Sequence, residues 1–226
     1  MKVVFCIPTL TRPYQACLDA LGASLPALDA AGWTHGMVTE IGNPYISGAR
    51  SYMLRKALDA GADVIVFIDH DLSWTPGDML KLIETDGDVV AGTYRFKQPG
   101  ETYMGVIDDN QDGTPKVRAD GCIKATRVPA GFLKVTKGAV ARFMQAYPAL
   151  CYGPAYALSV DLFNHGAHKG AYWGEDYAFS RNWIDAGGEI WLVPDLDLTH
   201  HSADKAYPGN FHNFMLRQPG GSHATD

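Results

Sequence analysis

Hydrophobic positions along residues 1–91 alternate between two spacings. Residues 2–7 form a short, β-branched-rich run that reads as a first strand, halted at Pro8. Leu18, Leu21, Leu25 and Leu28 then recur at helical spacing, with Gly32 as the stop. Residues 37–41 read as a second strand. Ile46, Ala49, Met53, Leu54, Ala57 and Leu58 make the apolar stripe of a second helix that ends at Gly61. Residues 64–68 are a continuous apolar run, as in parallel strands buried on both faces. Pro76 opens a third helix to about Glu84, and residues 89–91 form the next strand. Strands alternating with helices predict right-handed βαβ crossovers and a mostly parallel central sheet flanked by helices.

The pattern changes in the second half. Between about Thr102 and Val135, short strand-like pieces are punctuated by Asp112-Gly113, Asp120-Gly121 and Pro129-Ala130-Gly131, which favours antiparallel hairpins. Residues 137–147 read as a helix ended before Pro148. Residues 176–186 read as another, stopped by Gly187-Gly188, and residues 189–193 as a strand. From about Asp204 the chain is rich in Gly, Pro, His and Asn and reads as a loop.

Composition narrows the class. At 226 residues and 46% hydrophobic, the chain suits one α/β domain that buries its own core. No run approaches the roughly 18 apolar residues of a membrane span, and the first apolar run lacks a signal-peptide cleavage site. The four cysteines are scattered without a C-x-x-C pair, which points to free thiols and a cytoplasmic setting. A net charge of −6 argues against a protein that coats nucleic acid. Locally the sign reverses: Lys116, Arg118, Lys124, Arg127, Lys134, Lys137 and Arg142 share their stretch with a single acid, Asp120. A solvated face accounts for such a run, and so does an anionic partner such as a diphosphate, phosphorylated lipid or nucleic acid.

Candidate chemistry gathers at a few points. Asp69 and Asp71 directly follow the buried-type strand, and open α/β sheets bind ligands beyond the carboxyl ends of their strands. Their oxygens are the ligand type that Mg²⁺ and Mn²⁺ prefer; the same Asp-His-Asp also serves as an ordinary capped turn. In an extended geometry His70 faces away from its neighbours. Glu175-Asp176 sits at a helix start, where free N–H groups favour carboxylates in any case. Trp173-Gly174 before it joins an aromatic platform to a permissive backbone.

In their order these motifs resemble the GT-A glycosyltransferases, most of all the broad group around glycosyltransferase family 2, of small phage and bacterial type. Val64-Ile-Val-Phe-Ile-Asp-His-Asp-Leu72 is similar to the D-x-D strand, and Ile46-Ser-Gly-Ala-Arg50 to the segment preceding it. Trp173-Gly-Glu-Asp-Tyr177 is similar to the E-D motif that supplies the catalytic carboxylate of inverting members. Leu198-Thr-His-His201 resembles the late histidine that completes the metal site.

The resemblance implies a Rossmann-like GT-A domain over residues 1–203, with a nucleotide-sugar half at 1–95, an acceptor half at 96–203 and a C-terminal tail at 204–226. It implies metal-dependent transfer from a nucleotide sugar, by preference UDP-linked, to an acceptor hydroxyl. Asp71, assisted by Asp69, and His200 would hold Mn²⁺ or Mg²⁺; His200 is preferred to His201 because His200-x-Ser202 matches the family's H-x-G-like ending. Asp176 would be the general base of an inverting mechanism, and Glu175 would fix a hydroxyl. A retaining mechanism would leave Asp176 as a binding group.

Pro8, Thr9 and Arg12 would line the base and ribose, and Arg50 would reach the nucleotide or phosphate. Asp69 is also a ribose candidate, while Tyr94 and Lys97 would contact the donor sugar or diphosphate. Gly131, Trp173 and Gly174 would belong to the acceptor side. His165, His168, His212 and His223 have no useful partner spacing. The acceptor is open between a glycan, a lipid, a protein and, given the basic stretch, a hydroxymethylated base in DNA.

Three other classes compete. A nucleotidyltransferase shares the sheet and the carboxylate, but residues 8–13 lack its glycine-rich loop. A metal phosphoesterase on Asp69, Asp71, His200 and His201 needs further ligands. A non-catalytic nucleotide-sugar-binding module would use Glu175-Asp176 only as a cap.

Overall fold

A computed structural model describes residues 1–218, so His223 and the rest of 219–226 lie outside the described residues. The first half runs β1 (Lys2–Thr9), α1 (Gln15–Ala30), β2 (Thr34–Ile41), α2 (Ile46–Asp59), β3 (Val64–Ile68), β4 (Leu72–Trp74), α3 (Pro76–Glu84) and β5 (Val89–Ala91). Then come β6 (Val106–Ile107), β7 (Ile123–Arg127), β8 (Phe132–Thr136), α4 (Lys137–Ala146), β9 (Cys151–Tyr152), β10 (Ser159–Val160), β11 (Gly166–His168) and β12 (Ala171–Trp173). The chain continues through α5 (Glu175–Asp185), β13 (Ile190–Leu192), β14 (Asp197–His201), β15 (Ala206–Asn210) and α6 (Phe211–Arg217).

The main sheet has eight strands in the order β2-β1-β3-β8-β5-β13-β7-β6. Strands β2, β1, β3, β5, β13 and β6 point one way; only β8 and β7 oppose them. The mostly parallel sheet is therefore present, with β8 inserted antiparallel between β3 and β5. Side-chain alternation along β1 and β3 builds two cores at once. Val4, Cys6, Ile65 and Phe67 face α2, α4 and α5, while Val3, Phe5, Ile7, Val64, Val66 and Ile68 face α1 and α3. That double burial is why β3 is apolar throughout.

Hairpin pairing occupies the middle as expected, with β6 on β7 and bridges at Asp109–Pro115 and Val117–Ile123. The helix at Pro76 is fixed by its first turn, where the Thr75 N–H and hydroxyl both donate to Asp78 Oδ2, at 3.2 and 2.6 Å. The segment expected to be a loop after Asp204 is instead β15 and α6. Strand β15 completes a small sheet, β15-β14-β4, and Asn210 caps α6 by accepting from the Asn213 N–H at 3.0 Å. Phe211 and Phe214 of α6 pack on Tyr103 with ring centroids 5.2 and 5.1 Å away. Gly and Pro just before it masked this helix, which is short and anchored by Phe211, Phe214 and Met215. All four cysteines are free. Among the described residues no helix is long and apolar enough to cross a membrane.

Candidate active site

The Asp69-His70-Asp71 turn joins the main sheet to the small one. The Asp69 N–H donates to the Gly131 carbonyl (2.9 Å), the Tyr14 N–H to the His70 carbonyl (2.9 Å) and the His201 N–H to the Asp71 carbonyl (2.8 Å). Three separate segments thus hold the turn by its backbone.

The two carboxylates have different surroundings. Arg50 donates to Asp69 Oδ1 at 2.8 Å and to Glu175 Oε1 at 2.6 Å, and the Tyr94 hydroxyl donates to Asp69 Oδ2 at 2.9 Å. Both oxygens of Asp69 accept hydrogen bonds from the protein. Arg50 is only 3% exposed and lies over the Phe163 ring. Burial works against its charge, but Asp69 and Glu175 outweigh this and push its pKa up. Arg50 therefore ties the D-H-D turn to the start of α5. Its position carried a readable signal: it falls on the face of α2 that buries Ala49, Met53, Leu54 and Ala57, where a charge requires a partner.

Asp71 faces other groups. Lys97 donates to its Oδ2, and His200 Nε2 lies 3.7 Å from its Oδ1. Burial alone would raise the Asp71 pKa; His200 and Lys97 reverse this and hold it well below the usual carboxylate range. His200 Nδ1 is 2.8 Å from the Arg95 carbonyl. A carbonyl only accepts, so Nδ1 donates its proton to Arg95, and Nε2 is the ring nitrogen that faces Asp71. His201, next along β14, turns away and pairs with the Ser73 hydroxyl at 2.8 Å. His70 lies beside Tyr14, with ring centroids 5.8 Å apart.

Gly131 has a steric role beside the Asp69 turn. A Cβ there would overlap both the Tyr94 hydroxyl and the Asp69 carboxylate, so glycine is what lets the two meet. At α5, Gly174 is the N-cap, and Glu175 and Asp176 fill the first turn. Asp176 Oδ1 accepts from the Tyr177 N–H at 2.7 Å. Its pKa is raised from 3.8 to about 6, by burial first and then by the Glu175 charge. The Trp173 ring, expected to be an open platform, carries the guanidinium groups of Arg127 and Arg181, each 4.9 Å from its centroid. At the end of β1, Pro8 and Thr9 are buried, the Thr9 hydroxyl without a partner, while Arg12 is exposed.

The basic stretch is not a continuous charged face. Lys116 pairs with Asp108 (2.9 Å), Arg118 with Asp120 (2.6 Å) and Lys124 with Glu189 (2.7 Å). Lys134 is buried and donates to the Thr85 carbonyl at 2.5 Å, and Arg142 donates to the Ala186 carbonyl at 2.9 Å. Among the described residues, no three His, Cys, Asp or Glu side chains gather where they could hold a metal ion.

No protein-family model matches the chain, and no curated protein sequence matches it. Solved structures do. The chain is similar to A197 from STIV at 15% identity and a TM-score of 0.50, over 93% of this chain and 95% of that one. It is also similar to GalNAc-T7, solved with UDP, GalNAc and Mn²⁺, at 10% identity and a TM-score of 0.53. That match covers 88% of this chain and 43% of the GalNAc-T7 chain. The fold is that of the GT-A glycosyltransferases.

Proposed function

We propose that this chain is a metal-dependent glycosyltransferase that moves a sugar from a UDP-linked nucleotide sugar to an acceptor hydroxyl in the cytoplasm. One observation carries the reading. At the carboxyl end of β3, the Asp71 carboxylate and the His200 imidazole Nε2 stand 3.7 Å apart, while Arg50 ties Asp69 to the helix that bears Asp176.

The donor set suits the expected metal. A carboxylate oxygen with an imidazole nitrogen favours Mn²⁺ over Mg²⁺, and two protein ligands suffice where substrate phosphates supply others. A divalent ion bound there would neutralise charge on the departing diphosphate as a Lewis acid. Lys97, already on Asp71, would add a second cation toward the same phosphates. The buried, unpartnered Thr9 hydroxyl is a hydrogen-bonding group for ribose or base beside Pro8, with Arg12 at the rim.

Asp176 supports an inverting transfer. With a pKa near 6 it is mostly ionised at neutral pH yet basic enough to take a proton. As the acceptor oxygen bonds to the anomeric carbon, Asp176 takes its proton, and the bond from that carbon to the diphosphate oxygen breaks with the pair leaving on UDP. Glu175, held by Arg50, would orient a hydroxyl. Residues 1–95 would then serve the donor and 96–203 the acceptor. Lys116, Arg118 and Lys124 spend their charge on acids of the fold, which lowers the support that the basic stretch gave DNA as acceptor.

The test is UDP release from a panel of nucleotide sugars with Mn²⁺ and with EDTA, alongside titrations with nucleoside triphosphates. We expect release with Mn²⁺ only. Tight triphosphate binding without preference for any nucleotide sugar or diphosphate would refute the proposal in favour of a nucleotidyltransferase.

A further inference from the structure

Trp173, Arg127 and Arg181 form a cluster that the transfer chemistry leaves unused. Trp173 ends β12, directly before the first turn of α5. Arg127 also lies 5.6 Å from the Tyr177 ring, so the cluster reaches the residue next to Asp176. Among the described residues Arg50, Arg55, Arg118 and Arg217 are the arginines that pair with carboxylates; Arg127 and Arg181 do not. Arg181 spends Nε and Nη2 on Asn182 Oδ1, at 3.1 and 2.9 Å. Its Nη1 is buried without a partner, and so is Trp173 Nε1.

Two buried donors, Arg181 Nη1 and Trp173 Nε1, are thus left without an acceptor, beside two cations that no carboxylate neutralises. Buried donors left without acceptors are costly and uncommon, and a guanidinium fork matches the geometry of an oxyanion. Resting on the glycosyltransferase reading, we infer that the cluster is a subsite for an anionic group, a carboxylate or phosphate, carried by a saccharide acceptor. Arg127 is exposed and held by stacking, so it is the part that turns to admit the anion to Arg181 Nη1 and Trp173 Nε1. The rest of the charge pattern favours one discrete anion over a polyanion: Lys116, Arg118 and Lys124 are paired with acids in place, and the net charge of −6 repels a phosphate backbone.

The experiment titrates methyl β-glucuronide, glucose 6-phosphate and neutral methyl β-glucoside into the full chain with UDP and Mn²⁺ present. Wild type is compared with Arg127→Gln, Arg181→Gln and Arg127→Lys. One or both charged probes should bind at least about ten-fold tighter than the glucoside. Each Gln variant should lose that margin while UDP affinity stays unchanged, and Arg127→Lys should recover part of it. The two charged probes separate the carboxylate source from the phosphate. Equal binding of charged and neutral probes, or Gln variants that bind as wild type does, overturns the inference. So does a DNA oligonucleotide that outcompetes the sugars with the same arginine dependence. Failure of folded wild type to bind UDP would instead sink the glycosyltransferase reading, since probe discrimination is read separately.

Discussion

Replacing Arg50 by Met is the sharpest physical test of the site. The substitution keeps much of the side chain's bulk over Phe163 but strips the charge shared by Asp69 and Glu175. Removing one partner of a buried ion pair costs about 3–5 kcal/mol, because the other charge stays behind uncompensated. The carboxylates are 27% and 24% exposed, so water reaches them and the lower end applies, near 3 kcal/mol. For a domain of this size, each kcal/mol shifts Tm by roughly 2–4 °C, so a fall of about 6–12 °C is expected. Adding Glu175→Gln to Arg50→Met removes one stranded charge and should restore about 1–2 kcal/mol, a coupling that a double-mutant cycle isolates. The assay is thermal and urea unfolding of the four proteins at neutral pH. A loss below about 1 kcal/mol in the single variant, or a strictly additive double variant, would show that the bridge holds nothing together.

Asp176→Asn should lower transfer by about 10²–10⁴ while UDP binding persists, and wild-type turnover should fall as pH drops below about 6, where the base protonates. Its stability effect has the opposite sign. Between 3.8 and about 6 the folded state holds the proton more tightly than the unfolded chain, so wild-type stability declines as pH rises through that window. The Asn variant should therefore be the more stable above pH 6, by about 1–3 kcal/mol, with no advantage near pH 3, as pH-dependent melting will report. His200→Ala should abolish Mn²⁺-dependent UDP binding while His201→Ala and His70→Ala retain most of it; calorimetry showing equal losses would overturn the assignment. Gly131→Ala should cost about 1–3 kcal/mol by forcing Tyr94 off Asp69, detectable in Tm and as weakened donor binding.

The strands and helices of the first half were legible because their periodicity is enforced on both faces of one sheet, as the split of Val64–Ile68 between two cores illustrates. Helix α3 carried its boundaries in local chemistry, a first-turn proline and a Thr75–Asp78 cap. What the sequence hid is what tertiary contact decides. Arg50 is an apolar-face residue whose two partners lie 19 and 125 positions away. The basic run looked like a surface because its acids, Asp108 and Glu189, lie outside it in sequence. Strand β15 has weak strand character of its own, with Pro208 and Gly209 inside it, and owes its form to pairing with β14.

The small sheet β15-β14-β4 has a consequence for the timing of synthesis. Ser73 and His201, joined across β4 and β14, are 128 residues apart. At about 5–20 residues per second, the ribosome needs roughly 6–26 seconds to deliver the second after the first. Throughout that interval Asp71 has no histidine, and for most of it Arg50 waits for Glu175. The site is therefore a late event of biogenesis, and a nascent chain arrested before β14 lacks half of the pair on which Mn²⁺ affinity is proposed to depend. Metal affinity would then report on completion of the chain, long after the sheet that frames the site has begun to close.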